Sequence, residues 1–191
     1  MTKHIDLAEL KNQTFSVLGE ILILKVMTSE LVEDRYVNWM NDYEITKYTE
    51  QKYRSHNRKD VEDFVRTKYQ SEADLLFGIF SNKLHVGNIK LGPIDFNHMV
   101  SDISYFIGDR SMWGKGISTK VIGTVVEIAF DVVGLEKVTA GVYEKNTSSI
   151  VVLEKNGFVL EGVKRSQVLF EGKRIDFAIY GRIKDDVGRV D

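Results

Sequence analysis

The chain has 191 residues, and its 26 Lys and Arg against 28 Asp and Glu leave a formal net charge of −2. One domain spanning residues 1–191 is expected, since the 43% of hydrophobic residues can build a core, and the near-neutral charge makes a nucleic-acid partner unexpected. The chain has no cysteine, which excludes a disulfide framework and thiol catalysis. No apolar run approaches the ~20 residues that cross a bilayer, so no membrane partner is expected and a cytoplasmic location is the expectation.

Helices dominate the first third of the predicted elements. Residues 1–18 show weak hydrophobic periodicity and are expected to form an N-terminal extension. Residues 21–26 are typical of a strand, and the apolar spacing of residues 31–40 predicts a helix. The polar segment 41–57 has no clear pattern. It ends at Asn57, which has the properties of a helix N-cap, with an acidic residue three positions on and an apolar helical stripe after it.

Strands dominate the remainder, and three of them are joined by short loops in the manner of an antiparallel meander. These three strands are expected at residues 75–80, 84–91 and 102–108. They are followed by a helix at 117–133, a strand at 137–143, a short helix at 147–156 and a hairpin at 168–182. Because an antiparallel meander leads into a helix crossover, we expect an α+β or mixed α/β fold.

The most informative segment is the glycine-rich loop between the predicted strand 102–108 and the predicted helix 117–133. The free N–H groups and positive partial charge of a helix N-terminus favour an anion, glycines let the backbone approach it, and Lys115 adds a positive charge. A phosphate or pyrophosphate is therefore the expected ligand. The mononucleotide P-loop pattern fails because Lys115 is followed by glycine, and the dinucleotide pattern fails because Thr119 replaces its third glycine.

The loop resembles the acyl-CoA pyrophosphate loop of the GNAT superfamily of N-acetyltransferases. Its W-G-K-G letters are similar to the Rim-type branch, whose members acetylate ribosomal-protein N-termini, polyamines and amino sugars. A second motif, N-T-S-S followed by L-E-K-N-G-F, stands at the matching distance downstream. The resemblance spans residues ~20–183 and implies a GNAT fold. This fold is a largely antiparallel sheet of about seven strands, flanked by about four helices, in which the fourth and fifth strands splay apart. The resemblance also implies acetyl-CoA as co-substrate and no metal.

The resemblance implies a set of cofactor-binding residues at the end of the fourth predicted strand, in the loop, and before the short helix. These residues are Phe106, Ile107, Gly108, Trp113, Gly114, Lys115, Gly116, Ile117, Ser118, Asn146 and Ser149. Residues 106–108 would offer main-chain groups to the pantetheine arm, or else belong to an ordinary buried strand. Asn146 would bond the cofactor or cap the following helix, and Ser149 has the same two alternatives.

Acetyl transfer to an amine needs a base for the ammonium proton, stabilisation of the developing oxyanion and a proton for the leaving thiolate. Asp102, at the start of the fourth predicted strand, is the first candidate for the base. Glu50 and His56, in the polar segment before the second helix, are its rivals, and a solvated surface role is the alternative for each. Many relatives carry a tyrosine acid where this chain has Leu153, which leaves the acid role open.

The acceptor is expected to be a small-molecule primary amine. Residues 87–95 and 170–177 resemble Rim-type members of surface-sugar biosynthesis, which favours a nucleotide-linked amino sugar over protein N-termini and polyamines. Lys90, Arg54 and Arg174 would then pair with its diphosphate, or else be ordinary surface charges. Since the tyrosine acid is missing, a non-catalytic domain that binds CoA or an amine is the alternative from another class. A homodimer is left open.

Overall fold

Eight strands form one sheet in the computed structural model, which describes residues 7–185. The strands are β1 (Thr14–Leu18), β2 (Leu22–Val26), β3 (Leu75–Ser81), β4 (Leu84–Asp95), β5 (Val100–Ile107), β6 (Lys137–Tyr143), β7 (Val159–Phe170) and β8 (Lys173–Ile183). They pair in the order β1-β2-β3-β4-β5-β6-β8-β7, and each neighbouring pair except β5 and β6 is antiparallel. The expected α+β fold with a largely antiparallel sheet is confirmed.

Six α-helices connect or flank these strands within the described residues. They are α1 (Leu7–Leu10), α2 (Asp34–Met40), α3 (Tyr43–Thr46), α4 (Arg58–Gln70), α5 (Ile117–Glu127) and α6 (Thr147–Lys155). Helix α4 begins as expected, because the Asn57 side chain and the Asp60 side chain each accept from the other's backbone N–H. Helix α5 continues as a π-helical segment, Ile128–Val133, and ends at Gly134 in the left-handed conformation.

The strand that the sequence pattern does not predict is β1, which lies in the segment expected to be an extension. It pairs antiparallel with β2 at the edge of the sheet. Its side chains are only half-buried on one face and exposed on the other, so its pattern is weak. Leu7 and Leu10 of α1 are buried in the core. Residues 7–18 are therefore part of the fold, and the first six residues of the expected extension lie outside the described residues.

The core occupies both faces of the sheet, and β3 shows this most directly because all of its residues are buried. Phe77 and Ile79 belong to one buried cluster, which also contains the apolar side chains of α5 and α6. Leu76 and Phe80 belong to a second cluster, with the apolar side chains of α2 and α4. Since successive side chains of a strand point to opposite faces, the two pairs of helices cover opposite faces of the sheet.

A buried histidine lies in the second cluster. The ring of His85 is 5.5, 5.1 and 5.1 Å from the ring centroids of Tyr36, Trp39 and Phe80, and the side chain is fully buried. Its Nε2 lies 3.0 Å from the carbonyl oxygen of Gly87, so this nitrogen carries the proton and donates it. Burial lowers the pKa of His85 from 6.5 to about 4.

We expect the stability of the protein to fall as the pH is lowered below 6.5. The unfolded chain takes up the His85 proton near pH 6.5 and the folded chain only near pH 4, so the free energy of unfolding falls by about 2 kcal/mol between pH 7 and pH 5. Urea unfolding at several pH values measures this loss. His85→Gln keeps an N–H donor but does not titrate, so the His85 part of the loss should disappear. An identical pH dependence in both proteins would contradict the assignment.

Candidate functional site

The parallel strands β5 and β6 separate soon after they meet. The paired positions are Val100 with Lys137, Ser101 with Val138 and Asp102 with Thr139. Beyond them, β5 pairs only with β4 and β6 only with β8, so one main-chain edge of each strand faces the gap. The predicted splay between the fourth and fifth predicted strands is therefore confirmed, and these strands become β5 and β6 because β1 adds a strand before them.

A cleft of about 640 Å³ occupies the gap between β5 and β6. The diverging parts of the two strands form its walls, and the glycine-rich loop before α5 and the first turns of α5 and α6 lie at one end. The segment 44–49, from α3 and the residues after it, also lines the cleft. The cleft therefore joins the predicted cofactor loop to the segment that sequence patterns left unassigned.

The glycine-rich loop exposes its backbone to the cleft. Gly114 and Gly116 adopt left-handed conformations, with φ of 72° and 71°, and a Cβ at either position would have no atom within 4 Å. Gly116 is the N-cap of α5 and supplies no side chain to bond the helix N–H groups. The first N–H groups of α5, from Ile117 onward, therefore have no intrahelical partner and favour an anion. Lys115 lies exposed between the two glycines and adds a positive charge.

Two tryptophans hold this loop against the sheet. The indole Nε1 of Trp113 donates to the carbonyl oxygen of Ile107 at 2.8 Å. Trp39 packs so closely on Gly108, the residue after β5, that a Cβ there would lie 2.0 Å from the indole. The N–H of Gly108 donates to the carbonyl oxygen of Val86 at 2.9 Å. The Ile107 carbonyl and the Gly108 N–H thus have partners within the chain, and Gly108 is required by packing.

An ion pair between Arg110 and Asp42 connects the glycine-rich loop to segment 44–49, which lines the cleft. The Arg110 guanidinium donates to both carboxylate oxygens of Asp42, each at 2.6 Å. Arg110 also lies 5.8 Å from the ring centroid of Trp113. A hydrogen-bonded arginine and carboxylate is a directional contact, so it orients residue 42 and the helix α3 that begins after it.

The start of α6 contributes a hydroxyl pair to the cleft. The Asn146 side chain accepts from the N–H of Ser149 at 3.3 Å, which is the capping role, one of its two alternatives. The Ser149 hydroxyl lies 2.8 Å from the hydroxyl of Tyr105 on β5, so a hydrogen bond joins β5 to the first turn of α6. Burial raises the pKa of Tyr105 and keeps its hydroxyl protonated. Tyr105 is a site residue that sequence reasoning missed, although alternation along β5 places it on the face opposite Asp102.

Asp102 and Glu50 lie at opposite ends of β6. Asp102 accepts a hydrogen bond from the hydroxyl of Thr139 at the last paired position, where the cleft closes. Glu50 accepts from the hydroxyl of Tyr143 at 2.6 Å, at the last residue of β6, where β6 no longer pairs with β5. Burial, and then Glu50, raise the pKa of Tyr143, so this hydroxyl stays the donor. The two carboxylates are therefore separate candidates for the base.

His56, the third candidate base, lines a different cavity. This cavity has a volume of about 530 Å³, and Tyr36, Met40 and Phe64 are among its apolar walls. The backbone of His56 exchanges two hydrogen bonds with the Asn41 side chain, at 2.8 and 2.9 Å. Its Nε2 is buried and has no hydrogen-bond partner among the described residues. The structure thus brings His56 together with neither the β5–β6 cleft nor Glu50.

The three basic residues expected to bind a diphosphate have different surroundings. Lys90 lies 3.7 Å from the buried carboxylate of Asp74. Arg54 lines the same cavity as His56, and Arg174 donates to the carbonyl oxygen of Gln167 at 3.5 Å. The described contacts do not bring the three side chains together into one anion site.

The described part of the chain contains neither a cluster of metal-ligating side chains nor a helix suited to span a membrane. Among residues 7–185, no group of three or more His, Cys, Asp or Glu side chains is placed to hold a metal ion. None of the helices in the same range combines the length and the apolar character that crossing a membrane requires.

Known proteins are similar to this chain in sequence or in fold. The family model of the acetyltransferase (GNAT) domain matches residues 22–159. The chain is 32% identical over 132 residues to the probable N-acetyltransferase YjcK of Bacillus subtilis (strain 168), which covers 68% of this chain and 72% of that protein. RimL, a ribosomal L7/L12 alpha-N-protein acetyltransferase in complex with coenzyme A, has a TM-score of 0.80 at 18% identity, covering 90% of this chain and 98% of that one. A spermidine N-acetyltransferase from Vibrio cholerae, in complex with CoA and spermine, has a TM-score of 0.76 at 20% identity, covering 86% and 96%.

Proposed function

We propose that this chain, which belongs to the GNAT acetyltransferase family, acetylates a primary amine that reaches the β5–β6 cleft beside residues 44–50. The chain is an N-acetyltransferase, and acetyl-CoA is its co-substrate. The observation that supports the proposal is the cleft itself. The N-terminus of α5 at one end favours an anion, and the unpaired edges of β5 and β6 run along the cleft. The carboxylate of Glu50, hydrogen-bonded to Tyr143, adjoins residues 44–49, which also line the cleft.

The glycine-rich loop is proposed to hold the pyrophosphate of acetyl-CoA, which supplies the activated acetyl thioester. Gly114 and Gly116 leave open space where a phosphate would meet the backbone. Lys115 and the free N–H groups of Ile117 and Ser118 supply positive charge and donors. These features fit an anion without rearrangement of the loop.

The remaining cofactor contacts are proposed for the cleft walls. The ring of Phe106 packs on Tyr36 and Trp39, with centroids 6.0 and 6.2 Å apart, so only its main chain is available to the pantetheine arm. Trp113 acts indirectly, by tying the loop to β5. Asn146 also acts indirectly, by capping α6 and so positioning the Ser149 hydroxyl in the cleft.

Glu50 is the proposed base. The reacting amine must lose a proton as it forms the new bond, and a carboxylate held next to the cleft can accept it. Glu50 follows Tyr48 and Thr49, which line the cleft, and the Tyr143 hydroxyl orients its carboxylate. Asp102 is the second candidate, because it adjoins Ile103 at the closed end of the cleft.

The proton for the leaving thiol is proposed to come from the Tyr105 hydroxyl, with Ser149 as its hydrogen-bond partner. Leu153, which stands where many relatives have a tyrosine, is buried and has no proton to give. Tyr105 and Ser149 both line the cleft and share a hydrogen bond. Tyr105 gives its proton to the leaving thiolate, the Ser149 hydroxyl stabilises the resulting phenolate by donating a hydrogen bond to it, and the phenolate regains a proton from water before the next turnover.

The acceptor is proposed at the level of a primary amine, with nucleotide-linked amino sugars, peptide N-termini and polyamines as the compounds to compare. Thiol release from acetyl-CoA should depend on at least one of them. Cofactor binding by calorimetry with no thiol release across the whole panel would instead indicate a non-catalytic binding domain.

Gly116→Ala should weaken acetyl-CoA binding. The new Cβ would meet no protein atom but would enter the space proposed for the pyrophosphate, so KM for acetyl-CoA should rise about 10-fold or more. Because alanine is strained at the left-handed φ of residue 116, the substitution should also lower the free energy of unfolding by about 1 kcal/mol.

Gly134→Ala is the matched control for this prediction. Gly134 has a similar left-handed φ of 82° at the opposite end of the same helical run, and a Cβ there would make only one ordinary contact. It should show the same loss of stability with an unchanged KM. An unchanged KM in folded Gly116→Ala would contradict the role of the loop.

Glu50→Gln and Asp102→Asn should separate the two carboxylates. Glu50→Gln keeps an oxygen for the Tyr143 hydroxyl but cannot take a proton, so kcat should fall by ~10²–10⁴ with unchanged acetyl-CoA affinity. Asp102→Asn should keep most of its activity. Steady-state kinetics at saturating amine measure both effects, and the opposite result would transfer the base role to Asp102.

A further inference from the structure

The ammonium of Lys52 lies in an aromatic cage beside the cleft. Its Nζ is 4.9 Å from the ring centroid of Tyr53, 4.7 Å from that of Tyr143 and 5.3 Å from that of Phe170. Aromatic rings at such distances attract cations through their negative faces, and proteins use such cages to bind alkylammonium groups. In this chain the cage is filled by one of its own side chains.

Main-chain oxygens hold the same ammonium in place. Lys52 Nζ donates to the carbonyl oxygens of Lys47, at 3.1 Å, and Leu169, at 3.3 Å. The hydroxyl of Tyr53 donates to the same Leu169 oxygen at 2.9 Å. Lys52 is therefore a fixed positive charge, because leaving the cage would break two hydrogen bonds and three cation–π contacts.

The cage lies next to the place proposed for the reacting amine. The ring of Tyr48, which lines the cleft, stacks on Phe170 at 5.2 Å and contacts the ring of Tyr143 at 6.2 Å. The hydroxyl of Tyr143 carries the hydrogen bond to Glu50. The aromatic surface that surrounds Lys52 is therefore within reach of an acceptor whose reacting amine lies beside Glu50.

We infer that Lys52 is a specificity-determining residue, which makes the enzyme select acceptors with a single ammonium and reject diamines and polyamines. The inference rests on the proposed function. A second ammonium a few carbons from the reacting amine would approach the cage, where Lys52 occupies the favourable position and repels it. Lys47 and Lys145, which line the cleft, add further positive charge to it, and Glu44 pairs with Lys47 at 2.7 Å. Discrimination here comes from a repulsive element rather than from a tighter fit.

The test compares acceptors by their kcat/KM ratio. The single-amine panel is a lysine-free peptide with a free N-terminus, a nucleotide-linked amino sugar and 1-aminohexane, and the polyamine is spermidine. In the wild-type protein, spermidine should be about 100-fold poorer than the best single-amine acceptor. In Lys52→Met, which keeps an apolar chain of similar length in the cage, the ratio should rise about 10-fold or more in favour of spermidine.

Two matched variants control for loosening of the segment rather than loss of charge. Lys52→Arg retains a cation in the cage, and Tyr53→Phe removes the hydrogen bond to Leu169 while keeping the ring. Both should leave the acceptor ratio unchanged. If Lys52→Met does not fold, raising NaCl from about 0.05 to about 0.5 M should favour spermidine in the wild-type protein, because salt screens the repulsion.

Three outcomes would overturn the inference. They are spermidine as the best wild-type acceptor, an unchanged ratio in folded Lys52→Met, and, where that variant does not fold, a ratio that does not respond to salt. Absence of thiol release with every amine would contradict the proposed function itself, and the specificity role of Lys52 would fall with it.

Discussion

The limited pairing of β5 and β6 is the constraint on which the site depends. Parallel strands that continued to pair past Asp102 and Thr139 would close the sheet and leave no gap. Because they separate, two main-chain edges remain available inside a sheet that is otherwise continuous from β1 to β7. That separation forms the cleft, which is lined by the side chains of Tyr105 and Ser149 and by the backbone of the glycine-rich loop.

The packing beside the cleft explains why residue 108 is a glycine that lies close to two tryptophans. Trp39 takes the space that a side chain at residue 108 would need, and Trp113 bonds the carbonyl of Ile107 one residue earlier. The end of β5 is thus contacted by both tryptophans. These contacts help to fix where α5 begins, and hence where the free N–H groups of that helix point.

Local patterns predicted the elements of this site and failed to predict its contacts. The glycines of the loop and the Asn57 N-cap act within a few residues, so their spacing carried the information. The hydrogen bond of Glu50 to Tyr143 joins residues 93 positions apart, and that of Lys52 to Leu169 joins residues 117 apart. Periodicity cannot report such contacts, because they depend on the pairing order of the whole sheet. Strand β1 was missed for another reason, since half-burial on one face leaves a weak alternation.

The segment that lines the cleft is fastened at both of its ends. Asp42 bonds Arg110 before α3, and Tyr53 and Lys52 bond Leu169 at the tip of the β7–β8 hairpin. The conformational entropy lost in ordering this segment is therefore spent when the chain folds and not when an acceptor binds. This side of the cleft is ordered before the acceptor binds. A small amine that makes few contacts can therefore bind without the cost of ordering the protein.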